Sequence, residues 1–181
     1  MASGAATDAV APPFVSVNLA VRQIQHPGLV ADVSAVLDRT GLPPSRLHLE
    51  ITESALAGRD RETIDTLTGL ANLGVRLAID DFGTGYANLT YLRDLPVHTL
   101  KLASPFVQCL RTEEPTDPAG ETILAALISL GHALGLTVTA EGVETATQAR
   151  RLAALGCDLG QGWHFGRPVP AEQVARRLAG W

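Results

Sequence analysis

The sequence predicts an α/β fold made of repeated βα units, and three observations predict it. Short apolar strands alternate with amphipathic helices, the strands lying roughly 20 to 40 residues apart. Glycines close the helices. Every strand is largely apolar and carries a polar side chain at or near its C-terminal end. The first two features imply right-handed crossovers and a parallel sheet covered by helices, either open and doubly wound or rolled into a barrel. The third fits the barrel, where strand C-termini converge on one site. No GxGxxG or P-loop follows any strand, so the usual nucleotide fingerprints of the open form are missing.

In chain order, the strands are expected over Phe14–Asn18, Leu47–Ile51, Val75–Asp80, Thr99–Leu102, Thr137–Glu141 and Cys157–Gln161. Between the first two, Leu29, Val33, Val36 and Leu37 recur at helical spacing; between the second and third, Ile64, Leu67, Leu70 and Ala71 do the same. Gly41, Gly74, Gly135 and Gly156 stand where these and later helices should stop. Residues 122–140 carry no Asp, Glu, Lys or Arg. This stretch reads as a buried helix (Ile123 to Leu134), a glycine stop and a β-branched strand rather than as a membrane span. Residues 1–13 are small, Ala-rich and end in Pro12 and Pro13, so they read as a flexible leader to a domain over 14–181.

Composition removes several function classes. The chain has 181 residues, 46% hydrophobic and 18% charged, which fits one globular domain. A formal charge of −5 repels a polynucleotide backbone, and only four Phe, two Trp and two Tyr are available for base-stacking platforms. No nucleic acid polymer is expected as partner. Cys109 and Cys157 are too few for a disulfide scaffold and read as core filler in a reducing compartment. With no secretory n-region or h-region before Phe14, a cytoplasmic location is expected.

The strand-end residues are Asn18, Glu50, Asp80 with Asp81, Lys101, Glu141 and Gln161. Several carboxylates gathered at one end of a barrel repel one another unless a cation neutralises them. Oxygen donors of this kind suit hard divalent ions such as Mg2+ or Mn2+, and adjacent Asp80 and Asp81 suit a pair of them. Two such ions stabilise the attacking and leaving oxygens in phosphodiester cleavage, and Lys101 is placed to orient water or offset developing charge. The five histidines are scattered, which argues against zinc. Against this stands the plainer reading that a lone strand-end acid is a solvated turn or helix cap. Glu53 with Ser54 reads that way, and Glu141 and Glu144 as caps of a helix starting near Thr145. The Asp80-Asp81 pair, followed by Phe-Gly-Thr-Gly, is harder to explain so.

Six segments, taken in order, carry a family resemblance. They are Val15-Ser-Val-Asn-Leu19, Leu49-Glu-Ile-Thr-Glu-Ser54, Ala78-Ile-Asp-Asp-Phe-Gly-Thr-Gly-Tyr86, Leu100-Lys-Leu102, Ala140-Glu-Gly-Val-Glu144 and Gln161-Gly-Trp163. From Phe14 onward the chain resembles the EAL-type cyclic di-GMP phosphodiesterases. The resemblance implies a TIM-like (βα) barrel and metal-dependent hydrolysis of cyclic di-GMP to pGpG with two Mg2+ or Mn2+ ions. Carried over by position, it implies that Asn18, Glu50, Asp80, Asp81 and Glu141 are metal ligands. Lys101 then stands beside the hydrolytic water, with Gln161 as a partner behind the ligands. Glu144 is expected to hold the loop over 81–89 and to couple metal binding to dimerisation.

The chain also departs from that pattern. No Glu-Ala-Leu tripeptide occurs in it, so it is expected to begin two βα units into the family's barrel, with six units of eight. Ala103 stands where the family usually carries Asp, and Trp163-His164 replaces a more common Tyr-led pair. An alternative reading is therefore a catalytically inactive EAL domain that binds cyclic di-GMP or a protein partner. Open sheet edges would also favour a homodimer, or a chain supplying the missing strands.

Overall fold

The computed structural model describes residues 13–56, 61–85, 92–113 and 117–178, with side chains up to residue 174. Most of the expected leader, and residues 86–89 of the loop assigned to Glu144, lie outside the described residues. The strands are β1 (Val15–Asn18), β2 (Leu47–Thr52), β3 (Arg76–Phe82), β4 (Thr99–Leu102), β5 (Thr137–Ala140) and β6 (Leu159–Gly160). All neighbours are parallel, and sheet order equals chain order, β1 to β6. Helices lie over Leu29–Thr40, Arg61–Asn72, Pro118–Ala133 and Ala146–Ala154, among shorter turns. This is the curled half-barrel of an incomplete TIM-like α/β barrel, as the strand-helix alternation predicts.

Alternation along each strand sorts the side chains. Leu49, Ile51, Leu77, Ile79, Leu100, Leu102 and Val138 are buried against the helices, where Leu37, Leu67, Leu70, Leu124, Ile128 and Leu152 meet them. Each such side chain contributes about 1.5–3 kcal/mol by leaving water. The residues between them, among them Glu50, Ala78, Thr99, Lys101 and Thr139, line a cavity on the other side of the sheet. β4 is buried along its whole length, which puts Lys101 in the centre of the sheet with a neighbour on either side.

The helix ends follow their sequence signals. Gly41 adopts φ 67 and returns its N–H to the Leu37 carbonyl. Asp117 caps the helix over Pro118–Ala133 by accepting from the Gly120 N–H at 2.9 Å, with Pro118 in the first turn. That helix, Gly135 and β5 replace the apparent membrane span, and no described helix is long and apolar enough to cross a bilayer. Both cysteines are free, Cys109 packed in the core and Cys157 half-buried, and burial pushes both thiols up from their usual pKa.

Only β4 matches its expected bounds at both ends; β2 gains Thr52, β5 stops before Glu141, and β1, β3 and β6 differ for physical reasons. Phe14 sits outside β1 and stacks on His48 at 4.0 Å between centroids. β3 runs two residues further, through a register shift between Ile79 and Phe82. β6 keeps only two ladder residues, because Cys157 donates back to Leu152 to finish a helix and only β5 lies alongside. Among the described residues, β1 and β6 each have a neighbour on one side only. Apolar side chains stand exposed at both edges: Phe14, Val15 and Val17 on one, Leu159, Trp163 and Phe165 on the other.

Candidate active site

Parallel register carries the strand-end residues to one end of the sheet, stepped by two residues from β2 to β3 and again from β4 to β5. Asn18 lies opposite Glu50, Thr52 opposite Asp80, and Lys101 opposite Thr139, two residues before Glu141. Lys101, with its side chain only 3% exposed, directs Nζ into the middle of this group. It lies 2.7 Å from Glu50 Oε2, 2.7 Å from Asp80 Oδ1 and 2.5 Å from Glu141 Oε1. Four of the expected residues are thus brought together. Asn18 and Asp81 stand exposed at the ends of β1 and β3, while Gln161 lines the same cavity with no side-chain hydrogen bond among the described residues.

Three carboxylates against one ammonium leave two negative charges in excess at a nearly buried point. Burial opposes the Lys101 charge, but hydrogen bonds from its ammonium to Asp80, Glu141 and Glu50 outweigh it and hold its pKa above the usual lysine range. Glu141 is displaced upward: burial penalises its charge and Asp80 adds repulsion, which Lys101 only partly offsets. A hard divalent cation is what such a group lacks, so the charge and the all-oxygen donor chemistry fit one. Among the described residues, no three acids, histidines or cysteines converge on an open point; the point the acids share is the lysine nitrogen.

Asp81 owes its exposure to the irregularity in β3. It is the one non-glycine with positive φ (54°) among the described residues, and its carbonyl accepts from Thr84 Oγ1 at 2.8 Å. A left-handed residue at a strand irregularity breaks the regular up-and-down alternation, so the Asp81 side chain is re-aimed relative to an ideal strand.

Two expectations about glutamates are corrected. Glu144 does not hold the loop after β3 within the described residues; its carboxylate faces Arg111 at 3.6 Å. The loop is held by Glu53, which is buried where a solvated turn or helix cap is expected. Its Oε2 accepts from the Gly83 N–H at 2.9 Å and the Gly85 N–H at 3.3 Å, while Oε1 is buried without a partner. The sequence held a signal for this: a glutamate just past a strand, and a Gly-x-Gly whose exposed amides need an acceptor. A side chain at Gly85 would lie 2.6 Å from Glu53 Oε1, and one at Gly83 would strike the Phe106 ring at 2.5 Å. Close approach requires both glycines, and at Gly83 a φ of 92° requires one as well.

Nor do Glu141 and Glu144 cap the helix over Ala146–Ala154. Thr145 does, in a reciprocal box with Gln148 whose Oε1 accepts from the N–H groups of Glu144 and Thr145. Gln148 is fully buried and donates through Nε2 to the Val107 carbonyl. Ala103 occupies the cap position of the turn over Ser104–Val107 and supplies no side-chain hydrogen bond, so that turn lacks the cap an Asp would provide.

The cavity over this group encloses about 1140 Å³ and extends from Phe14 and His48 to Gly160, Trp163 and Arg167. Gly162 lets its last motif close down, since a Cβ there would fall 2.2 Å from the Val143 carbonyl oxygen.

The sequence matches the family described as EAL domain over residues 3–168. It is 47% identical over 160 residues to the uncharacterized protein Rv1357c of Mycobacterium tuberculosis, covering 88% of this chain and 52% of that protein. The phosphodiesterase of Pseudomonas aeruginosa MucR, solved in complex with c-di-GMP, superposes with a TM-score of 0.81 at 42% identity, over 89% of this chain and 64% of that one. Klebsiella pneumoniae BlrP1, solved with calcium and c-di-GMP, superposes with a TM-score of 0.74 at 30% identity, over 83% of this chain and 37% of that one. The chain spans about half the length of Rv1357c and about a quarter of full-length MucR.

Proposed function

The chain belongs to the EAL domain family, and from that premise we propose that its lysine-centred acid cluster serves the metal-dependent hydrolysis of cyclic di-GMP to pGpG. The observation that carries the reading is the convergence of Glu50, Asp80 and Glu141 on Lys101 with two negative charges in excess. Asn18, Glu50, Asp80, Asp81 and Glu141 are the residues that would hold Mg2+ or Mn2+. Bound there, the ions would polarise the phosphodiester and activate water.

The chain's own side chains do the rest. Lys101 fixes the rotamers of three acids at once and keeps a positive charge near the scissile phosphate, where it offsets charge developing on the phosphoryl oxygens. Glu53 fixes the loop that follows Asp80 and Asp81. Gln161, on the cavity wall, is placed to hydrogen-bond a ligand or a metal-bound water.

The test is conversion of cyclic di-GMP by the purified chain with Mn2+ or Mg2+. Formation of pGpG that EDTA stops and Asp80→Ala lowers by about 100- to 1,000-fold supports the reading. Turnover indifferent to both overturns it. A second reading, a cyclic di-GMP-binding module without turnover, is favoured by the seam between β1 and β6, where no strand lies among the described residues. Saturable binding without pGpG would establish it.

The same seam points to a partner: a second copy of this chain, or a chain that supplies further strands. The edges of β1 and β6, each with one strand neighbour among the described residues, and exposed Val15, Val17 and Leu159 should drive self-association at micromolar concentrations. Light scattering checks this, and a stable monomer across that range would count against it.

A further inference from the structure

Trp163 is 58% exposed and Phe165 52% exposed, which is unusual for the largest apolar side chains unless something covers them. Both belong to the wall of the cavity that contains Glu50, Lys101 and Glu141. Trp163 is not loose. The Arg167 guanidinium carbon lies 4.7 Å from its ring centroid, a cation-π contact that covers one face of the indole.

The cavity thus has two chemically different ends. One gathers acids that would meet a phosphate through divalent ions; the other offers a pinned aromatic ring beside a cation. A volume of about 1140 Å³ is large for a phosphodiester alone and leaves room for the bases attached to it. Flat aromatic rings next to cationic groups are how proteins hold unstacked bases.

We infer that Trp163, held in place by Arg167, is the stacking platform for a purine base of the cyclic dinucleotide, and that Arg167 acts as its positioning residue. This rests on the proposed function, since the platform needs the phosphates seated at the acid cluster. The extended π-surface of the indole favours a purine over a pyrimidine, so the platform contributes to base preference as well as affinity.

The experiment uses the full chain carrying Trp181→Phe, which leaves Trp163 as its sole tryptophan. Cyclic di-GMP is titrated in the presence of Ca2+, with Trp163 emission and equilibrium dialysis read in parallel. The expected result is saturable quenching that tracks the dialysis curve. Adding Trp163→Leu, at a site too exposed to disturb folding, weakens binding roughly 5- to 100-fold by dialysis. Arg167→Ala lowers the anisotropy of Trp163 without ligand and weakens binding less. Cyclic di-UMP binds more weakly and is indifferent to Trp163→Leu. Binding by dialysis with unchanged emission and an unaffected Trp163→Leu variant overturns the platform and leaves the site standing. No binding of cyclic di-GMP to any form overturns the proposed function, and the platform with it.

Discussion

Replacing Lys101 with methionine is expected to lower folding stability by about 3–5 kcal/mol at pH 7 and to abolish turnover, because it leaves three mutually close acids without their counter-charge. Methionine nearly preserves the volume, so the loss is electrostatic rather than a cavity effect. Urea unfolding measures it. Millimolar Mn2+ or Mg2+ should restore part of the stability and do so more in the variant than in the wild type, since a cation that binds only the folded state stabilises it by mass action. The pH dependence has a definite sign. Lys101 has a folded-state pKa above its ordinary 10.5, so its contribution is complete below that value and fades as pH rises through the raised one. Glu141 is also raised, so it favours the folded state fully below 4.5 and loses that contribution as pH rises through its folded value. Lys101→Met should therefore regain stability on acidification towards pH 5. A variant as stable as the wild type, with the same pH profile, would show that the acids are not held together by that ammonium.

Glu53→Ala is expected to have the second largest effect, about 2–4 kcal/mol of stability and a 10- to 100-fold loss of Mn2+ affinity. The substitution strands the Gly83 and Gly85 N–H groups beneath the loop that follows Asp80 and Asp81. Loss of that anchor reaches the acids through the backbone, which is how a residue that touches no metal tunes its ligands. Glu53→Gln should fall between the two, because its oxygen can still accept while its NH2 group takes the buried position of the unpartnered Oε1. Amide hydrogen exchange at Gly83 and Gly85, alongside Mn2+ calorimetry, measures both effects. Undiminished protection together with unchanged Mn2+ binding would rule the anchor out.

The sequence displayed what depends on period and position. Apolar alternation located all six strands, and the side chain at the end of each marked Glu50, Asp80, Lys101 and Glu141 as residues that converge. It concealed what depends on where a side chain turns after leaving its strand. Glu53 and Glu144 both follow a strand-end glutamate by three residues, so spacing alone cannot tell which reaches across to the glycine loop. The answer comes from the sheet: β2 lies beside β3 and delivers Glu53 beneath that loop, whereas β5 is two strands away. The left-handed turn at Asp81 was equally hidden, because nothing in Ile-Asp-Asp-Phe announces a register shift. The Thr145–Gln148 box shows in the sequence as a Thr-x-x-Gln pattern, with Glu141 and Glu144 beside it as rival cap candidates.

Buried Gln148 has a consequence for how this protein can diverge over generations. Its amide clasps the segment after β5 to the Val107 carbonyl beyond β4, and Gly142 nestles so closely on Ser104 that an added methyl would collide with it. An insertion in either segment would have to be matched in the other, so the two are inherited as one mechanical block. The stretch from Trp163 to Pro168 is tied through its backbone, the His164 N–H donating to the Val143 carbonyl, while the side chains of Trp163 and Phe165 stand exposed. Drift can accumulate there, altering which molecules are welcomed while the apparatus beneath stays fixed.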